Sequence, residues 1–187
     1  GGDETSSFGA FYDETFTGDG LKISEIMAKS PLIQDGTKIK VGVIIEKIDG
    51  EAIVADKNYF QMLNRKAGVN TLLSLHNPAT KERWEEVVRP ISGGQESQLL
   101  YKRWVDNCRK IVDEASGGKV GYVHVRGMDD QSYRVVYEEV LGQSITKDAL
   151  IVDTRFNGGG WLHDDLATFL SGKEYITFFP RGQKLGH

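Results

Sequence analysis

The stretch 150-LIVDTRFNGGGWLHDDLATFL-170 joins a run of strand-forming residues, three consecutive glycines and an amphipathic segment. Leu150, Ile151 and Val152 are apolar at successive positions, which predicts a strand buried on both faces, the habit of a parallel sheet. Trp161 to Leu170 reads as a helix. Gly158, Gly159 and Gly160 therefore stand at the carboxyl end of a strand and just before a helix, where they let the backbone turn sharply. Amide N–H groups bared at such a turn, next to the positive pole of a helix, attract negative charge. That charge is either a bound phosphate or the oxyanion formed when an acyl carbonyl is attacked. The remaining reading is a tight turn that serves packing alone. The pattern is neither Gly-x-x-x-x-Gly-Lys-Ser/Thr nor the spaced Gly-x-Gly-x-x-Gly, so the common phosphate-binding loops lose weight.

Outward from this stretch the periodicities are regular. Lys119–Gly127, KVGYVHVRG, reads as a strand and Asp130–Gln143, DQSYRVVYEEVLGQ, as a helix, ahead of the strand in Asp148–Phe156. Strand, helix, strand, helix predicts a parallel sheet covered on both faces with a right-handed crossover. Leu100, Trp104, Cys108, Ile111 and Ala115 recur at helical spacing and predict a helix burying one stripe, with Cys108 as a small hydrophobe on it. Gly93-Gly94 within Ser92–Ser97 reads as a flexible hinge and a domain boundary. From Phe8 to Ile91 short strands alternate with turns such as Asp49-Gly50, and Ala55–Gly68 places Tyr59, Met62, Leu63 and Ala67 on one helical face. The expected architecture is α+β and multidomain. Residues 1–92 form a small, partly open β-barrel with one helix, residues 93–117 a linker helix, and residues 118–187 a β-α-β-α unit.

Composition excludes several function classes. A net charge of −4 and an isoelectric point near 5.6, with signs mixed along the chain, leave no basic stripe for nucleic acid. Cys108 is the single cysteine, so neither an internal disulfide nor a thiolate metal cage is expected, and no cofactor is implied. No apolar run approaches the roughly 20 residues of a membrane span. The chain reads as soluble, cytoplasmic or periplasmic if bacterial. His76, His124, His163 and His187 find no serine at a recognisable spacing, and His124 and His163 read as structural.

The segments YKRWVDNCRKIVDEASGGKVGYVHVRGM, from Tyr101, and ALIVDTRFNGGGWL, from Ala149, resemble the linker helix and core entry of the tricorn and C-terminal processing protease family of serine peptidases. The β-rich part resembles the PDZ domain that precedes this core. The resemblance implies a part of a tricorn-like peptidase that hydrolyses oligopeptides or unfolded proteins, with homo-oligomeric assembly of the parent as a further expectation. It assigns the oxyanion hole to Gly158 or Gly159, with Asp153, Arg155 and Asn157 bracing the loop. It also places the nucleophilic serine on a later turn, so these 187 residues alone are expected to be inactive. Gly9, Ala10 and Phe11 fall where a PDZ loop captures a peptide's terminal carboxylate beside a strand edge open to β-augmentation. The alternatives are a non-catalytic PDZ-type peptide-binding module and a phosphate-binding protein.

Overall fold

The computed structural model describes residues 4–55 and 57–172, which divide into two compact units at Trp104 and Val105. The fold is mixed α and β, antiparallel in the first unit and parallel in the second.

In the first unit a six-stranded sheet is built from β1 (Ala10–Tyr12), β2 (Leu21–Ile26), β3 (Ile44–Ile48), β4 (Glu51–Ala52), β5 (Thr71–Asn77) and β6 (Glu82–Val88). Its order is β1-β2-β3-β5-β6, with β4 paired on β3, and every pairing is antiparallel. β5 shows the cause most plainly. Thr71, Leu73, Leu75 and Asn77 are buried and alternate with half-buried neighbours, the period-two pattern of a strand with one face on a core. Leu73 and Leu75 join Phe8, Ile23, Ile45 and Val88 in that core, each apolar side chain contributing about 1.5–3 kcal/mol by leaving water. The β3–β4 turn at Asp49-Gly50 has positive φ at both residues (49° and 82°), the hairpin geometry that Asp-Gly favours.

Two expectations fail here. The helix expected over Ala55–Gly68 is only a 3₁₀ turn, Tyr59–Leu63. Asn58 caps its start, while Asn64 is drawn out into a bridge with Thr5, whose hydroxyl donates to the Asn64 side chain at 2.8 Å. That tertiary pairing holds Asn64 extended and ends the turn. Nor is Ser92–Ser97 a hinge: helix α1 (Gly93–Ser116) starts at Gly93. The Ser92 hydroxyl accepts the Gln95 amide (3.3 Å) and the Gln95 side chain accepts the Ser92 amide (3.0 Å), a reciprocal cap that offsets the helix-weakening of the two glycines.

The division between the units falls inside α1. The second unit pairs β7 (Val120–His124) with β8 (Ala149–Asp153) in parallel, Val120 opposite Ala149 and His124 opposite Asp153. Helix α2 (Asp130–Leu141) links them and α3 (His163–Ser171) follows the glycines. Val136 of α2 and Leu166 of α3 pack on Val123 and Val125, with Leu150 and Val152 against them. The expected cover on both faces is incomplete among the described residues. Both helices pack the face that carries Leu150 and Val152, so Ile151, pointing the other way, stays 45% exposed. The apolar stripe of α1 is likewise uncovered at Leu100, Ile111 and Ala115, with Cys108 half-buried and Val105 the buried residue.

Candidate functional site

The glycine turn is held by the strand end beneath it. Arg155 doubles back on Asp153, its guanidinium donating at 2.5 to 3.0 Å and its amide at 2.9 Å. The Tyr122 hydroxyl donates to the same carboxylate at 2.7 Å. Arg155, and then Tyr122, hold the buried Asp153 carboxyl well below the usual carboxylate range, against the opposing effect of burial. Burial and Asp153 together push the Tyr122 phenol up. His124 Nε2 lies 2.8 Å from the Arg155 carbonyl, to which it donates. These contacts fix the chain up to Arg155. Asn157 then clamps the turn from both sides, its amide nitrogen donating to the Val125 carbonyl (2.9 Å) and its oxygen accepting the Gly159 amide (2.7 Å).

The three glycines are not equivalent. Gly159 has φ of 79° and its amide is taken by Asn157. Gly160 has φ of 153°, and a Cβ there would meet Met128 Cβ at 2.7 Å. Gly158 has open space around its Cβ position, and among the described residues no acceptor takes its amide. Phe156 and Trp161 flank the turn and are 88% and 92% exposed. Among the described residues no nucleophile and base come together here. Among the described residues His124 is committed to Arg155, His163 lies against the Gly160 carbonyl and Asp164, and His76 against Glu46. His187 lies outside the described residues.

The first unit carries a groove of about 950 Å³ between β1 and the 3₁₀ turn, with Phe11, Tyr12, Tyr59 and Leu63 among its walls. The Tyr12 and Tyr59 rings meet edge to face at 5.9 Å. Burial, then Tyr59 and Glu96, raise the Tyr12 phenol, and burial and Glu96 raise that of Tyr59. β1 is the edge strand. The Gly9 carbonyl accepts from Met27 and the Asp13 amide donates to Lys22, both toward β2. With the alternation of an antiparallel strand, and Phe11 opposite Glu25, Ala10 and Tyr12 turn their backbone groups to the open edge.

Gly9 does not offer its amide. It is buried with φ of 63°, its amide donates to Ser7 Oγ at 3.0 Å, and Ser7 Oγ donates in turn to Glu96. A Cβ on Gly9 would lie 3.1 Å from Leu99, so the start of α1 covers the loop. The Arg103 guanidinium sits 4.8 Å over the Phe11 ring and holds Glu25 by two bonds, at 2.5 and 2.7 Å.

Residues 16–93 match the family model of the tricorn protease PDZ domain. The chain is 33% identical over 153 residues to the tricorn protease of Thermoplasma acidophilum and 30% identical over 169 residues to the tricorn protease homolog of Saccharolobus solfataricus. It superposes on a crystal structure of the tricorn protease with a TM-score of 0.78 at 27% identity, over 97% of its length. The chain is a relative of the tricorn proteases. It spans 14% and 15% of the length of those two relatives, and 18% of the crystallised chain.

The tricorn PDZ match takes in β2 to β6 and the 3₁₀ turn, while Gly9, Ala10 and Phe11 lie just before its first residue. Sequence reading singled out those three and the 158–160 turn but missed Ser7, Glu96 and Tyr122. Tyr122 had a signal, standing two before His124 on the strand parallel to β8. Ser7 and Glu96 had none, being 89 positions apart.

Proposed function

We propose that the chain is part of a tricorn-like serine peptidase that hydrolyses peptide bonds in oligopeptides or unfolded proteins. Its PDZ-like unit holds substrate as an added strand along Ala10 to Tyr12, and its glycine turn supplies an oxyanion donor. The observation that carries the reading is the braced turn itself. Asp153, Arg155 and Asn157 pin a strand end beside an exposed Gly158 whose amide has no acceptor among the described residues, in a chain related to tricorn proteases. Preorganised backbone amides of this kind lower the barrier because they need no reorientation as charge develops. Gly158 is the donor in this arrangement, and Gly159 gives the turn its left-handed step.

In this reading the nucleophile and its base are supplied by other segments of the peptidase, and the 187-residue chain alone shows no peptidase activity. Turnover by the purified chain that a serine-directed reagent blocks would refute this part. The oxyanion role is tested in the longer protein by Gly158→Pro, which removes the N–H. A fall in kcat on the order of 10²–10³ with KM little changed is expected. A folded variant with normal kcat would remove Gly158 from the mechanism.

A further inference from the structure

At the Ser7 end of the groove, the place of a carboxylate-binding loop is taken by an internal relay. The Gly9 amide is spent on Ser7, Ser7 is spent on Glu96, and Leu99 covers Gly9. What faces the groove there is the Glu96 carboxylate, since Glu96 is half-buried and among the groove-lining residues. Among the described residues no lysine, arginine or histidine pairs with it. The other charges lining the groove are Asp13, Glu14, Lys22 and Lys57. Asp13 is neutralised by Lys22 at 3.0 Å, which leaves Glu96 as the uncompensated charge at the Ser7 end. Burial is the main cause of the raised phenols of Tyr12 and Tyr59, and the Glu96 charge adds to it.

A free peptide carboxylate brought to this end would meet a like charge and find no open donor on Gly9. A cation would meet a carboxylate that holds the Ser7 hydroxyl but pairs with no cation among the described residues, in a partly desolvated site. We infer that the groove binds an extended, internal peptide segment along the open edge of β1 and selects a lysine or arginine side chain at the Ser7 end, opposite Glu96. The inference rests on the reading of this groove as a peptide site and names what it prefers.

The test uses the 187-residue chain and fluorescein-labelled octapeptides of valine and threonine, acetylated and amidated, with Lys, Gln or Glu placed at each position in turn. Fluorescence polarisation should show a position at which Lys binds about five- to tenfold more tightly than Gln, with Glu weakest. The free-carboxylate forms should bind no more tightly than the amides. E96Q should bring the Lys and Gln peptides to the same Kd, and E96A should do likewise, thermal unfolding identifying the variants that fold. Should neither fold, loss of the Lys preference of the native chain in 1 M salt reads the same charge. A preference for the free carboxylate, or a Lys preference that survives these changes, would overturn the inference while leaving the peptide groove standing. No saturable binding by any peptide would overturn the groove itself, and the inference with it.

Discussion

The side-chain oxygen of Asn157 accepts the amide of Gly159 at 2.7 Å, so the residue that shapes the glycine turn is also the one that occupies its second amide. The same side chain reaches the Val125 carbonyl on the neighbouring chain segment at 2.9 Å. One residue thus ties the turn to Val125 and occupies the Gly159 amide.

Asn157→Ala removes both bonds and leaves the carbonyl of the buried Val125 and the Gly159 amide without these partners. We expect a loss of about 1–3 kcal/mol in stability, read by denaturant unfolding, and faster hydrogen exchange at Gly159. Unchanged exchange at Gly159 would show that the turn holds itself without the clamp.

Alanine should be tolerated unequally across the three glycines. Gly158→Ala meets nothing within 4 Å and should stay within about 0.5 kcal/mol of the native chain. Gly159→Ala has space but a φ of 79°, costing about 1–2 kcal/mol. Gly160→Ala combines a φ of 153° with a 2.7 Å approach to Met128, and about 3 kcal/mol or more is expected. Thermal unfolding of the three variants should give this order, and any other would contradict the turn geometry.

Acid should loosen the second unit through Asp153. Its folded pKa lies below the unfolded value near 4, so its stabilisation is fully present above about pH 5 and is lost as pH falls through the folded value. Asp153→Asn is less stable at neutral pH and should show a flatter fall in stability below pH 5. The Arg155 side chain is 61% exposed, so salt should shrink the difference. An equal acid dependence in both proteins would assign the effect to other carboxyls.

If a peptide adds to the β1 edge, only alternate residues of that peptide can exchange bonds with Ala10 and Tyr12. N-methylation scanned along a bound peptide should therefore weaken binding in a period-two pattern, by up to roughly tenfold at the sensitive positions. A uniform or absent effect, read by polarisation, would mean that side-chain packing alone holds the peptide.

The sequence by itself determined the elements whose signal is local. The alternation of Thr71 to Asn77, the parallel pairing implied by strand, helix, strand, and the helices Asp130–Leu141 and His163–Ser171 all follow from side-chain periods that need no distant partner. The Ser92–Gln95 cap was legible as Ser-x-x-Gln but stood behind Gly93-Gly94, which read more loudly as a hinge. The tertiary structure decided what depends on residues far apart. Thr5 pulls Asn64 out of a helix, Leu99 covers Gly9, and Glu96 takes Ser7 across 89 positions. In the glycine turn the sequence located three residues with unusual backbone freedom, but that the Gly159 amide is taken was set by the side chain of Asn157. Backbone freedom is a property of the residue type, whereas a hydrogen bond belongs to a pair, and the pairs exist only once the chain has folded.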